Sequence, residues 1–397
     1  MKKTVSIVLI GINGYGRNYL EELLFKKNES IILNGVVDIN AESSEFYDEL
    51  IKRNISIYNS IERFYENNTA DLSIISTPIH LHKYHACLCM NNNSHVLCEK
   101  PVTANYDDIH EMERIRDKTG KFLAIGFNWS FINSILELKK DIIDKKFGKP
   151  IRVKSMVQWP RNEIYYNRSS WAGKKFSSDN SMIFDSVANN ATAHFLHNLF
   201  YLNGDHINTS VSLNTIEYEL YRVNNIETFD TCALHIKSKK NIDIFFYASH
   251  ATKNVRNPCF ELEFEKATIK YDPDKGYENI TAFFKDGLQK TYMNPEAKSH
   301  LTKLYVCIDA ILTNNYRIPC GLEAATPHVL CIKTLHGSFS KINLFPKSLI
   351  RYSEQQKQYW VNNLDKDLEY CYSHWILPND ADIKWSKKNN KVNDVFS

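Results

Sequence analysis

The stretch Asp71–Pro101, DLSIISTPIHLHKYHACLCMNNNSHVLCEKP, decides the fold. Its first part, Leu72-Ser73-Ile74-Ile75-Ser76, is a short apolar run with β-branched weight, as a buried parallel strand requires. Thr77-Pro78 stops that strand, because a proline holds the residue before it in extended geometry. A helix follows, with Tyr84, Ala86, Cys87 and Met90 as candidate buried positions, and the run Asn91-Asn92-Asn93 closes it. His95-Val96-Leu97-Cys98 is the next strand, and Glu99-Lys100-Pro101 lies just past its end. Ligands of open parallel sheets bind beyond the carboxyl ends of the strands, so Lys100 stands where chemistry is done. The plainer alternative is a surface lysine in a βα turn.

Working outward, Val5–Ile10 reads as a first strand that runs into Gly11-Ile12-Asn13-Gly14-Tyr15-Gly16. Gly11 and Gly16 take the outer positions of G-x-G-x-x-G, Asn13 stands at the middle one, and Gly14 follows. Asparagine tolerates left-handed geometry better than other side chains, which keeps the turn possible. A helix starting at Tyr15 or Gly16 would aim its free N–H groups and dipole at a pyrophosphate. Ile31–Val37 is a second strand, and Asp38 ends it about 20 residues after the glycines, at the dinucleotide fingerprint's spacing. A carboxylate there accepts from the adenosine ribose hydroxyls and repels a 2′-phosphate, which favours NAD over NADP. A short strand at 55–58, a helix over 105–118 and a strand at 122–126 complete a doubly wound sheet.

At 397 residues the chain is long enough for two domains. A net charge of +3, with no basic block, does not suggest nucleic acid. The nine scattered cysteines read as reduced thiols of a cytoplasmic protein. Met1-Lys2-Lys3 and the apolar run after it imitate a signal peptide, yet the run is short and leads straight into the glycine turn. No stretch approaches the roughly 20 apolar residues of a membrane helix.

The second half changes character. Asn133–Lys146 is expected as a helix, and 151–159 as the start of a new sheet. Residues 161–180 form a long connection, of a kind that is commonly functional. It carries Arg161, Arg168, Tyr165, Tyr166 and Trp171 behind Trp159, rings able to face the C–H side of a sugar or simply to pack the loop. Residues 181–204 read as a helix on which His194 and His197 share a face. Zinc fits neither that pair nor His80, His82 and His85, for want of a clear third ligand; no metal is expected. Strands are expected at 209–222, 231–238, 241–250, 260–271 and 280–291, in an antiparallel sheet with one open face. Helices near 296–314 and 322–340 follow, and the tail from about 345 has no assigned role.

Together GINGYG, Asp38, Ser76-Thr77-Pro78 with His82, the run from His95 to Pro101, and Gly126-Phe127-Asn128 resemble the Gfo/Idh/MocA oxidoreductases, typified by glucose-fructose oxidoreductase and inositol dehydrogenase. The resemblance implies an α/β fold: a Rossmann domain over 1–127, an α+β domain with a largely antiparallel open sheet over 128–345, and an extension over 346–397 packed on the body. It implies that Gly11, Asn13, Gly14, Tyr15, Gly16, Asp38, Thr77, Pro78, His82, Glu99 and Lys100 hold NAD. Lys100 and His194 would be the catalytic pair. Asn128, Trp129, Arg161, Tyr165, Tyr166, Trp171, Asn190 and His197 would face the substrate, a sugar, sugar derivative or cyclitol oxidised at a secondary alcohol. Asn190 departs from the family's usual aspartate, and Asp185 recovers the carboxylate only if the chain loops back. A homo-oligomer, dimer or tetramer, joined through the open sheet face is implied, with no membrane or nucleic-acid partner. An NAD-dependent glycosidase working by transient oxidation and elimination, or a non-catalytic dinucleotide sensor, are the alternatives on this scaffold.

Overall fold

A computed structural model describes residues 4–338, 340–393 and 395. The chain forms two compact units, one of residues 1–132 and 298–325, the other of 133–297 and 326–397. The three contiguous segments expected from the sequence are therefore not what the contacts give. A helical segment returns to the first unit, and the tail belongs to the second.

In the first unit, strands β1 (Val5–Ile10), β2 (Ile31–Val37), β3 (Ile57–Tyr58), β4 (Leu72–Ile75), β5 (His95–Cys98) and β6 (Leu123–Ile125) make one parallel sheet in the order 3-2-1-4-5-6. That is the doubly wound order, with its switch point between β1 and β4. Helices α1 (Gly16–Phe25), α2 (Tyr47–Lys52), α3 (Ile61–Tyr65), α4 (His82–Asn91) and α5 (Asp107–Thr119) make the crossovers. β4 and β5 are buried along their whole length, which is why they read as unbroken apolar runs. Ala86, Cys87 and Met90 of α4 are buried as expected, but Tyr84 is 54% exposed and hydrogen-bonds Glu62.

The second unit opens with α6 (Asn133–Ile143), β7 (Pro150–Gln158), the short α7 (Glu163–Tyr166) and α8 (Ala193–Leu202). The helix expected over 181–204 begins only at Ala193. Before it, Asn189 Nδ2 donates to the carbonyls of Ile183 and Phe184, and Phe184 has φ of 51°. Asparagine side chains compete for backbone partners in this way and favour turns over helix. Then come β8 (Leu213–Arg222), β9 (Thr231–Ser238), β10 (Asp243–Ser249), β11 (Arg256–Phe264), β12 (Ala267–Asp272), β13 (Tyr277–Phe284) and β14 (Gln289–Tyr292). The single strands expected over 260–271 and 280–291 are each split. One breaks at Glu265-Lys266 between β11 and β12, the other at Asp286-Gly287, where Gly287 has φ of 90°.

Helix α9 (Thr302–Thr313) then goes back to the first unit, and α10 (Leu322–Leu335) begins there and continues into the second. The sequence expected α10 to reach 340, of which Phe339 lies outside the described residues. β15 (Ile342–Leu344) pairs parallel with β8; β16 (Ile350–Ser353) and β17 (Gln358–Val361) form a hairpin; α11 (Leu364–His374) follows, and β18 (Asn390–Val392) returns to β8. The large sheet runs 14-13-12-11-7-10-9-8-15 and is mostly antiparallel.

The face expected to stay open is covered. Met156, Tyr221, Phe245, Tyr247 and Cys259 of the sheet form one buried cluster with Val361, Leu364, Leu368, Cys371, Tyr372, Leu377 and Trp385 of the tail. The chain's own C-terminal segment thus occupies the apolar ground on which subunits were expected to meet. Among the described residues no helix is long and apolar enough to cross a membrane. All nine cysteines are buried thiols.

Candidate active site

In the first unit the site is built at the carboxyl ends of β1, β2, β4 and β5. The turn after β1 is glycine because the backbone closes on itself. A Cβ on Gly16 would meet the Gly11 carbonyl oxygen at 1.9 Å, and one on Gly11 would meet the Ser76 oxygen at 2.7 Å. Gly14 takes the positive φ of 56° with open space around it. The reason given for Asn13 was therefore wrong: it is not among the left-handed residues. It serves as a donor, its Nδ2 standing 3.3 Å from Asp38 Oδ2 and 3.2 Å from the Asn40 carbonyl.

Asp38, just past β2, is held by Ile12 N–H at 2.9 Å on Oδ2 and by Asn40 N–H at 2.8 Å on Oδ1. Beside it opens a cavity of about 920 Å³, lined by Asn40, Ser43, Tyr47, Tyr58 and Arg63 among others. A ribose and a purine fit that volume and that mixture of ring, hydroxyl and amide groups.

Glu99 and Lys100 follow directly on β5. Glu99 is 7% exposed and turns inward: its Oε1 accepts from Tyr19 Oη at 2.7 Å and from Lys303 Nζ at 2.5 Å. Lys303, on α9, is wholly buried and also donates to Asn128 Oδ1 at 2.7 Å and to the Gly126 carbonyl at 3.2 Å. Glu99 and Asn128, expected to face ligands, are both bound to a buried ammonium that ties the ends of β5 and β6 together. Trp129 is likewise 5% exposed. Burial lowers the Lys303 pKa while Glu99 opposes the shift. Tyr15 hangs its ring 4.8 Å from that ammonium, and burial, then Glu99, pushes its hydroxyl pKa up. Lys100 is half-buried, and its N–H donates to Glu99 Oε2 at 3.3 Å. Sequence reasoning missed Lys303. The signal was there: it lies on the i, i+4 row with Cys307 and Ile311 in a helix otherwise apolar on that side.

His82, expected beside the cofactor, lies inward. It is 1% exposed, with Nδ1 2.9 Å from the Pro101 carbonyl and Nε2 2.8 Å from the Thr77 carbonyl. It staples the Thr77-Pro78 turn to the Glu-Lys-Pro turn. Burial pushes its pKa down against two carbonyls that favour the charged ring.

In the second unit the expected substrate residues gather ahead of α8. Asp185 Oδ2 accepts from Gly173 N at 2.6 Å and stands 3.5 Å from Arg168 Nη2, while Asn190 Nδ2 donates to Asp185 Oδ1 at 2.5 Å. The backbone does loop back, and the Asp185 carboxylate sits against the position where the family's aspartate is absent. Trp159 packs edge-on against Phe195 at 5.4 Å, next to half-buried His194 in the first turn of α8. Tyr165 and Tyr166 touch edge-on at 5.2 Å, and Trp171 lies 5.1 Å from the Arg168 guanidinium. His197, expected to face the substrate, lies inside. It is 1% exposed and stacked 5.7 Å from Tyr201, and burial, then His328 and Lys139, drives its pKa well down.

Residues 5–127 match an oxidoreductase family with an NAD-binding Rossmann fold, Gfo/Idh/MocA. The glucose-6-phosphate 3-dehydrogenase of Bacillus subtilis is 26% identical over 154 residues, 39% of this chain and 41% of its own. An NADP(+) scyllo-inositol 2-dehydrogenase of the same organism, IolW, is 27% identical over 142 residues, 35% of this chain and 38% of its own. Both matches span about two fifths of those relatives' lengths. The WlbA dehydrogenase of Bordetella pertussis, solved with NADH and UDP-GlcNAcA, superposes with a TM-score of 0.67 at 16% identity, over 83% of this chain and 95% of that one. That likeness is one of fold. The family match runs over β1 to β6 and falls on the very residues that build the glycine turn, Asp38 and the Glu-Lys-Pro turn.

Proposed function

We propose that this chain is an NAD-dependent dehydrogenase that reversibly oxidises a secondary alcohol of a sugar, sugar derivative or cyclitol. The observation that carries the reading is the Glu-Lys-Pro turn at the end of β5. Glu99 is drawn inward by Lys303, which leaves Lys100 half-buried at the carboxyl edge of a nucleotide-binding sheet. The dehydrogenases among its relatives support the same chemistry.

Gly11–Gly16 would hold the pyrophosphate on backbone N–H groups, and Asp38 the adenosine ribose. Asp38 disfavours a 2′-phosphate by charge, so NAD is the expected cofactor although one relative bears NADP in its name. When bound, the nicotinamide supplies the hydride acceptor. Lys100 would donate to the substrate oxygen and stabilise its developing charge. His194 would take the hydroxyl proton, as imidazole does near neutral pH. A cytoplasmic enzyme is the setting that its nine thiols suit.

The test is NADH absorbance over a panel of sugars, sugar phosphates, sugar acids and cyclitols, run in parallel with NADP. On a substrate so found, Lys100→Ala and His194→Ala should each lower kcat roughly 10²–10⁴-fold with NAD binding kept. Near-normal turnover in Lys100→Ala would refute the mechanism.

A further inference from the structure

Past Gln158 the chain continues from β7 as Trp159-Pro160-Arg161, still pegged to the end of β10. Trp159 N–H donates to the Ser249 carbonyl at 2.9 Å, and Arg161 N–H to the His250 carbonyl at 3.0 Å. Arg161 therefore rides on a sheet edge and not on a free loop. Its guanidinium carbon lies 4.8 Å from the Tyr165 ring centre and 5.8 Å from that of Trp159.

The neighbouring arginine of the same loop is satisfied. Arg168 donates to the Tyr165 carbonyl at 2.6 Å and pairs with Asp185 at 3.5 Å. Arg161 is not. No ion pair joins it to a carboxylate among the described residues, and its Nε is buried without a hydrogen-bond partner. On the same loop the Tyr166 hydroxyl and Ser169 Oγ are buried and unpartnered as well. His250 gives Arg161 no compensation. It is 2% exposed, its Nδ1 lies 2.7 Å from the Trp159 carbonyl, and burial, then Arg161, pushes its pKa down to about 3. Asp230, the other buried carboxylate near Tyr166, has its oxygens taken by Val223, Asn224 and Thr231.

A guanidinium drawn partly out of water without a counter-charge is costly to keep. One stacked on rings has its orientation fixed, and its fork matches the two oxygens of an oxyanion. Trp159 carries this arginine beside Phe195, and so beside the helix turn that bears His194. We propose that Arg161 recognises an oxyanion on the substrate, so that the sugar is an acid or a phosphate ester and not a neutral hexose or cyclitol. This rests on the reading of the chain as a sugar dehydrogenase.

The experiment compares three matched probes on the NAD-loaded full chain: glucose, glucuronate and glucose 6-phosphate. Each is titrated by calorimetry and assayed for NADH formation. Wild type should bind one of the anions at least ~10-fold tighter than glucose, and which one separates carboxylate from phosphate. Arg161→Gln should erase that preference and raise KM for the anion while leaving kcat, glucose and NAD within about twofold; Arg161→Lys should restore part of it. Equal binding of all three probes by wild type overturns the proposal. So does an Arg161→Gln variant that weakens glucose and anion alike, since the side chain then only packs the rings. Anion preference without NADH from any probe keeps the anion site and removes the dehydrogenase reading. NADH from glucose, with all three probes bound equally by wild type, does the reverse.

Discussion

Each unit of this protein is completed by a segment from far along the chain, and the two segments bring charge into the interior in opposite ways. α9 inserts Lys303 into the nucleotide-binding unit, where the ammonium meets Glu99, Asn128 and a carbonyl. The tail covers the large sheet of the second unit and buries Glu219 and Lys154 under it. Glu219 accepts from the neutral Tyr221 hydroxyl and the Asn379 N–H, and Lys154 has the Tyr372 carbonyl, two rings and a carboxylate 3.8 Å away. In the first unit a buried charge is compensated at contact. Under the tail no carboxylate or ammonium among the described residues stands at contact to oppose the shift that burial brings, and it takes Glu219 up to about 7 and Lys154 down to about 8. Compensated charge makes a unit dependent on the partner; uncompensated charge makes it dependent on pH.

The largest effect should come from breaking the compensated pair. Lys303→Met leaves Glu99 buried without its cation, which should cost about 3–5 kcal/mol. The double change Lys303→Met with Glu99→Gln should recover a large part of it. Urea unfolding followed by far-UV circular dichroism measures both, and a single variant within 1 kcal/mol of wild type would show that the pair is not what holds the ends of β5 and β6. Next in size is the seam of the second unit. Leu368, wholly buried in the tail cluster, should cost about 2–4 kcal/mol as Leu368→Ala, read by tryptophan fluorescence, since five of the six tryptophans lie in that unit. A value under 1 kcal/mol would make the tail a loose cover.

The same contrast explains what the sequence discloses. The parallel sheet was legible because β4 and β5 are buried on both faces and its turns need glycine or proline at fixed offsets. The residues that support the site were not. Glu99, Asn128 and His82 stand next to motif positions, and only α9 and the staple across two turns show that they face inward. In the second unit, the hairpin at Glu265-Lys266 only slips the apolar phase by one, from Phe260, Leu262 and Phe264 to Ala267, Ile269 and Tyr271, and so small a slip reads as one strand. Asp185 and Asn190 are five residues apart with an irregular turn between them, and no period predicts their contact. The covered sheet face went unread because the partner of each sheet residue lies over a hundred positions away, as with Lys154 and Tyr372.

The smallest effect is the sharpest test of uncompensated burial. Folded, Glu219 keeps its proton up to about pH 7, because burial disfavours the carboxylate; unfolded, it loses it near 4.5. Between those values the folded state binds more protons than the unfolded one, so the stability linked to this group falls as pH rises, by up to ~1.4 kcal/mol per unit. His197, His250 and His336 of the same unit act the other way. Burial lowers their pKa values, so below about 6.5 the unfolded chain takes up protons that they refuse, and stability falls as pH drops. A single pH profile therefore mixes the two signs. Comparing wild type with Glu219→Gln removes the histidines, which are common to both. Urea midpoints read by fluorescence should show the variant gaining on wild type by about 2 kcal/mol between pH 5 and 7, whatever its offset at pH 5. A constant difference over that range would mean that Glu219 is ionised under the tail. The contrast between the two units would then rest on Lys154 alone, whose linked stability rises with pH only above about 8.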